Sequence, residues 1–384
     1  NIKIFDPACG SGNFLIIAYK ELRKLEMEIF QKIQEVLGQT TLKIMLSNIH
    51  LNQFYGIEID DFACEIAKLS LWLAEHQMNR IFKKQFGDCN PSLPLTESGN
   101  IVWGNATRLD WEQVCPKGIK GITKSQMEQI TLLELQQTKQ LELQGTDNEI
   151  YILGNPPYIG SRNQKEEQKR DMDLSISNII NYRKLDYISI WFYKASKYIE
   201  KINAYCAFVS TNSICQGEQV PILWNAILND NIEIGFAYEN FKWGNNAKHN
   251  AGVTVVIVGL RNVSNKNKYI YSSNQVLIVN NISPNLSQGQ NYTINKCTEQ
   301  ISNLTYMRRG NMPNDKEYLR LSPLEKDNLI LKYPTAKKFL RRQIGSDEFI
   351  NGIERYCYWI PDDKLNEALK IPEIKTAIDK VREY

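Results

Sequence analysis

The chain has 384 residues, 42% hydrophobic and 23% charged, with 46 Lys+Arg against 43 Asp+Glu, proportions ordinary for a soluble globular protein long enough to bury a substantial core in two domains. No apolar run is long enough to span a membrane and no signal peptide is visible. Eight cysteines scattered without a Cys-x-x-Cys pair, beside only three histidines, argue against a metal centre or disulfide framework and fit a reducing cytoplasm.

Ile2-Lys3-Ile4-Phe5 reads as a buried strand running into Asp6-Pro7-Ala8-Cys9-Gly10-Ser11-Gly12-Asn13-Phe14-Leu15. Gly10 and Gly12 permit a tight turn and close approach of a ligand to the backbone, and Asp6 puts a carboxylate at the strand end where amino or hydroxyl groups can donate to it. The turn lacks the Gly-Lys-Ser/Thr ending of a phosphate loop and is not GxGxxG. Cys9 reads as a small filler.

Residues 16–48 carry helical periodicity, interrupted near Gly38. A strand over 52–60 then ends in acids; Glu58 is the first choice and Asp60 the second for an acceptor of ribose hydroxyls. Residues 63–76 form an amphipathic helix, and Ile101-Val102-Trp103-Gly104 a third strand leading to Asn105. The Gln-, Glu- and Leu-rich stretch within 115–148 reads as an inserted helix or helical hairpin.

The next strand, Ile150-Tyr151-Ile152-Leu153, ends in Gly154-Asn155-Pro156-Pro157-Tyr158. An exocyclic amine on a nucleobase is a poor nucleophile because its lone pair is delocalised into the ring. A site that alkylates it must accept hydrogen bonds from its N–H groups and hold the nitrogen in line with the methyl donor. Asn155 offers a side-chain carbonyl and Pro156 a backbone one, both pre-aimed because the two prolines restrict the chain. Tyr158 adds a flat face for a flipped base.

Taken together, the Asp6–Leu15 and Gly154–Tyr158 motifs resemble those of the class I S-adenosylmethionine-dependent DNA amino-methyltransferases. The resemblance covers the chain to about residue 260 and implies a Rossmann-like, seven-stranded α/β sheet with helices on both faces. It implies adenine N6 as the acceptor rather than cytosine N4, whose enzymes more often open the second motif with Ser. Asn155, Pro156, Pro157 and Tyr158 would be catalytic. The cofactor would lie on Asp6, Pro7, Ala8, Gly10, Gly12, Asn13 and Phe14, on Glu58 and Ile59, and on Asn105 and Ala106. Asn105 stands where related enzymes commonly have an Asp that accepts from the cofactor's adenine amine; its carbonyl is expected to do the same.

Residues 161–170, polar and of mixed charge, read as a loop, either a mobile cover closing over the site or, equally, a solvated surface loop. Residues 186–199 form an aromatic amphipathic helix serving the core, and strands follow over 204–210, 232–238 and 253–258. The resemblance puts an aromatic just before the last of these, so Phe241 or Trp243 would sandwich the base against Tyr158. Stacking of this kind is worth about 1–3 kcal/mol per base.

The polar stretch 262–268 marks the expected boundary between a methyltransferase domain, residues 1–268, and an α+β region, residues 269–384, that begins a target-recognition domain. Arg308–Pro313, Tyr333–Arg342, Ser346–Gly352 and Arg355–Ile360, in this order, resemble the segment joining methyltransferase to target-recognition domain in the MmeI-like type IIG (type IIL) restriction–modification enzymes, and Phe241-Lys242-Trp243 and Ser210-Thr211-Asn212-Ser213-Ile214 support that match. In that family a nuclease precedes the methyltransferase, so a nuclease is expected upstream in the parent chain, together with a motif for the methionine end of the cofactor. The sequence starts within a strand and ends within a helical stretch, as a fragment would. Double-stranded DNA is the implied partner, and the modest positive excess lies C-terminal, with 16 Lys+Arg against 13 Asp+Glu in residues 301–384. An RNA guanine-N2 methyltransferase, a release-factor glutamine methyltransferase and a non-catalytic cofactor-binding or specificity fragment share parts of this pattern. Pro361-Asp362 with Glu373-Ile374-Lys375 imitates a nuclease motif, but the helical pattern after Lys364 speaks against strands converging on a metal.

Overall fold

A computed structural model describes residues 2–37, 46–87, 99–117, 148–242, 253–273, 275–295, 297, 302–303 and 314–384. They form two compact units, residues 1–297 and 298–384. Residues 262–268, where the domain boundary is expected, link two strands of one sheet, and the first compact unit runs to Cys297.

The first unit is built on a nine-stranded sheet. Its strands are β1 (Ile2–Asp6), β2 (Phe54–Glu58), β3 (Asn100–Trp103), β4 (Glu149–Gly154), β5 (Ala204–Thr211), β6 (Ile232–Lys242), β7 (Thr254–Asn262), β8 (Lys268–Tyr271) and β9 (Val276–Val279), in the order 3-2-1-4-5-7-6-8-9. Strands β1 to β5 run parallel, β7 runs against both of its neighbours, and β6 thereby points the same way as β4 and β5. Seven of the strands match the expected sheet; β8 and β9 extend its edge, β8 parallel to β6.

Alternation along the strands divides the core. Phe5, Ile57 and Ile152 face one hydrophobic cluster, which includes Trp191, Phe192 and Phe208. Ile4, Phe54 and Ile101 face a second, with Leu15, Tyr19, Ala67 and Leu71. Side chains on successive strand residues point to opposite faces, so a sheet covered on both sides reads as continuous apolar runs. Helices α1 (Asn13–Leu37) and α2 (Asp61–Phe86) cover the second cluster; α3 (Glu166–Ile176) and α4 (Ser189–Ile199) serve the first.

Residues 161–170 are not a loop. Ser161–Asn163 form a short 3-10 turn, and α3 starts at Glu166, with Asp171, Met172 and Ile176 buried. The polar exterior of this helix gave the segment its loop-like composition. Most of the expected insertion at 115–148 lies outside the described residues.

The second unit has a three-stranded antiparallel sheet, β10 (Arg320–Leu321), β12 (Arg355–Tyr358) and β11 (Leu340–Gln343), around a core of Leu321, Leu329, Phe339, Leu340 and Ile374. Helix α5 (Pro323–Lys332) opens with a capping box: Ser322 accepts from the Glu325 N–H, and the Glu325 carboxylate accepts from the Ser322 N–H at 2.8 Å. Asp362 sits in a 3-10 turn, and Glu373, on helix α6 (Pro372–Glu383), pairs with Lys332 at 2.6 Å, so the nuclease-like string lies on helices and turns. Among the described residues no helix is long and apolar enough to cross a membrane.

Candidate active site

Strand order reverses between β1 and β4: the chain leaves β1 towards β2 and β3, then returns to the other side of β1. In open α/β sheets such a switch point leaves a crevice at the carboxyl ends of the strands. Asp6 ends β1 there and Gly154 ends β4. The two touch: a Cβ on Gly154 would stand 2.5 Å from Asp6 Oδ1, so only glycine fits beside the carboxylate. Asp6 is 1% exposed; Oδ1 accepts from the Ala8 N–H at 3.0 Å, while Oδ2 has no hydrogen-bond partner. Burial, with the Glu58 carboxylate adding and the Ala8 N–H opposing, pushes the Asp6 pKa up to about 7.

The turn after Asp6 is left-handed at Gly10 (φ 54°) and Gly12 (φ 86°). At Gly12 a Cβ would lie 3.2 Å from that of Ala67, so the glycine also lets the start of α1 approach α2. Pro7 is buried, Ala8 and Phe14 are half-buried, and Asn13 is exposed. Cys9 is buried in the second cluster, and burial pushes its thiol well above its ordinary range, as suits a filler.

Glu58 holds this turn to β2. Its Oε2 accepts from the Gly10 N–H at 2.7 Å and Oε1 from the Ile59 and Asp60 N–H groups. One lone pair of Oε2 is left for a ligand hydroxyl. Asp60, the second choice, is instead the N-cap of α2, accepting from the Ala63 N–H. Ile59 is exposed, and its carbonyl accepts from Trp103 Nε1 at 3.0 Å.

Asn105 departs from its expected role. Its Oδ1 accepts from the Thr107 N–H at 2.9 Å and the Thr107 hydroxyl at 2.7 Å, which uses both lone pairs, so it has none to offer an adenine amine. Its Nδ2 donates to Asp171 at 3.1 Å. Ala106 is buried, and its carbonyl, with those of Thr107 and Leu109, accepts from Lys194 Nζ at 2.7–3.1 Å. Burial lowers the Lys194 pKa to about 8, so at neutral pH it remains an ammonium whose three N–H groups match three carbonyls.

The Asn155 motif leaves β4 at the same edge. Pro156 is buried, Pro157 exposed, and Asn155 and Tyr158 are half-buried, with Tyr158 packed on the first cluster. Asn155 Oδ1 is buried without a hydrogen-bond partner. An acceptor left in that state costs about 1–3 kcal/mol unless a ligand supplies a donor. Phe241 lies at the end of β6, half-buried and on the same sheet edge, about three strand spacings from β4. Trp243 lies outside the described residues.

Sequence reasoning missed Asp171, Tyr187, Trp191 and Lys194 as contributors. Tyr187 and Trp191 belong to a stripe that reads as plain core, with Lys194 on the same segment, and only the polar ends of the aromatic side chains hinted at more: Trp191 Nε1 donates to the Pro7 carbonyl at 3.1 Å.

Residues 1–272 match the family model described as MmeI, DNA-methyltransferase domain, and residues 288–384 match MmeI, target recognition domain. The chain belongs to the MmeI family. A solved structure of the type IIL restriction–modification enzyme MmeI in complex with DNA is 36% identical, with a TM-score of 0.84, over 100% of this chain and 48% of that one. DNA methyltransferase A of Bacillus subtilis (strain 168) is 45% identical over 98% of this chain and 40% of its own length. A putative type II restriction enzyme and methyltransferase of Methanocaldococcus jannaschii is 49% identical over 73 residues, 19% of this chain and 6% of that protein. The chain thus spans less than half the length of each of these relatives.

Proposed function

We propose that this chain is the modifying and sequence-reading part of a restriction–modification polypeptide, and that it moves a methyl group from S-adenosylmethionine to the N6 amine of a flipped adenine in double-stranded DNA. The observation that carries the reading is a pair of buried oxygens with no partner, Asp6 Oδ2 at the end of β1 and Asn155 Oδ1 just beyond the end of the adjacent β4, at the switch point. Asp6 leads into the Gly-rich turn and Asn155 opens the Asn-Pro-Pro-Tyr turn. A ligand donor for each would relieve the cost of leaving it bare.

These residues fit the cofactor. Asp6 has a free carboxylate oxygen for an amino or hydroxyl group, Gly10 and Gly12 leave the turn open to close approach, and Glu58 Oε2 retains an acceptor site. When bound, S-adenosylmethionine supplies a methyl group made electrophilic by its cationic sulfur. Asn155 Oδ1 and the Pro156 carbonyl would accept from the N6 amine, aiming its lone pair while drawing electron density back onto nitrogen. Both acceptors are fixed before the substrate arrives, so little is spent on ordering them. Tyr158, with Phe241 or Trp243, would clamp the ring. No cysteine is needed as a nucleophile. Five of the seven described cysteines are buried. The MmeI relationship supports a nuclease elsewhere in the parent chain.

The reading is tested by separating binding from transfer in the intact protein. Asn155→Ala is expected to bind cofactor within about threefold of wild type while transfer falls below about 1%, in line with loss of a preorganised donor–acceptor contact. Asp6→Asn is expected to lose cofactor affinity first. Transfer surviving in Asn155→Ala would contradict the assignment; transfer to RNA or protein in place of DNA would redirect it.

A further inference from the structure

The three loops of the candidate site are tied together beneath the surface through Asp171, Tyr187 and Trp191. Asp171, on α3, is 1% exposed. Its Oδ1 accepts from Arg108 Nε at 2.7 Å, and its Oδ2 accepts from Asn105 Nδ2 at 3.1 Å and from the Tyr187 hydroxyl at 2.6 Å. Asn105 and Arg108 belong to the loop after β3. Tyr187 reaches the loop after β4 by its other end: its backbone N–H donates to the Ile159 carbonyl, one residue beyond Tyr158, at 2.9 Å. Its ring meets Trp191 edge-on at 5.3 Å, and Trp191 holds the Pro7 carbonyl in the turn after β1.

We infer that Asp171 and Tyr187 are positioning residues for methyl transfer, coupling the loop expected to hold the cofactor's base to the loop expected to hold the target amine; this rests on the function proposed above. A buried carboxylate is costly unless its oxygens are bonded, and here every donor comes from another segment, so the Asp171 position and the two loops are fixed together. Tyr187 is the bridge. Its hydroxyl senses the first loop and its peptide N–H sets the second. Displacement of Asn105 and Arg108 is passed through Asp171 to the backbone that aims Asn155 and Tyr158. Coupling of this kind is reciprocal, so target binding tightens cofactor binding by the same factor.

The test is a double-mutant cycle in the intact protein. Tyr187→Phe keeps the ring on Trp191 and the N–H on Ile159 and removes only the hydroxyl; Asp171→Asn keeps the shape and removes the charge. Thermal melting confirms that each variant folds. With cofactor and DNA saturating, we expect kcat to fall about tenfold to a hundredfold in each, because small misplacement of a reacting group has effects of that size. Cofactor affinity measured without DNA should stay within about threefold in Tyr187→Phe, and the gain in cofactor affinity on adding DNA should shrink towards none. The double variant should fall little below Asp171→Asn alone, as both remove the same link. Unchanged kcat in folded variants, or losses that multiply independently, would overturn the inference. A wild-type protein that transfers no methyl group would instead overturn the proposed function on which it rests.

Discussion

In the proposed function two residues, Asp6 and Asn155, carry most of the chemistry, and a third makes room for the first. Asp6 ends β1 and Asn155 follows the end of the adjacent β4, and Gly154 leaves room for the Asp6 carboxylate beside it. Replacing Gly154 with Ala should push Asp6 aside and lower cofactor affinity by about tenfold or more, because a Cβ 2.5 Å from a carboxylate oxygen forces a shift in a packed site. Equilibrium binding measures it. Asp6 also sets a pH dependence. Its pKa rises from an ordinary 3.8 to about 7 on folding, so between those values the folded protein holds a proton that the unfolded chain has released. Its contribution to stability is full below pH 4 and is lost as pH rises through 7, at up to about 1.4 kcal/mol per pH unit. A ligand that donates to ionised Asp6 should bind about tenfold more tightly per pH unit below 7 and level off above, and Asp6→Asn should flatten that profile. The local patterns were legible at this scale because each motif is contiguous: a Gly-rich turn and a Pro-Pro turn declare themselves in a few residues. Asn105 was not, since the bonds that occupy its oxygen come from Thr107 and only a folded loop brings them there.

The elements behind the site supply order that no motif shows. Helix α4 looks like a buried aromatic stripe, and it is, yet Lys194 reaches from it to three carbonyls of the loop after β3. Lys194→Met should retain the packing stem and leave those carbonyls unpaired, costing about 1–3 kcal/mol and weakening cofactor binding; chemical denaturation and binding assays together would show it. At the opposite edge, Glu233 at the start of β6 lies between Arg261 and Lys268, 2.8 Å from each. Glu233→Ala strands two largely buried cations and should cost about 3–5 kcal/mol while sparing kcat at a temperature where the variant stays folded. The strands and the long helices were legible from periodicity. Residues 161–170 were misread because α3 hides its buried side, Asp171, Met172 and Ile176, partly behind a carboxylate that composition scores as surface.

For the whole molecule, two units with separate cores succeed one another along the chain. The fold class was readable from the order of strand and helix signals, whereas β8 and β9 were not assigned, being four residues each and lying beyond a polar stretch that imitates a linker. The family matches break between 272 and 288, near the end of that sheet. The measurement that tests the central claim most directly is nucleoside mass spectrometry of DNA from cells expressing the intact protein, beside the same protein carrying Asn155→Ala. N6-methyladenine present with the first and absent with the second is the result expected. DNA left unmodified by a folded, cofactor-binding wild type, or modified equally by both, would contradict the account.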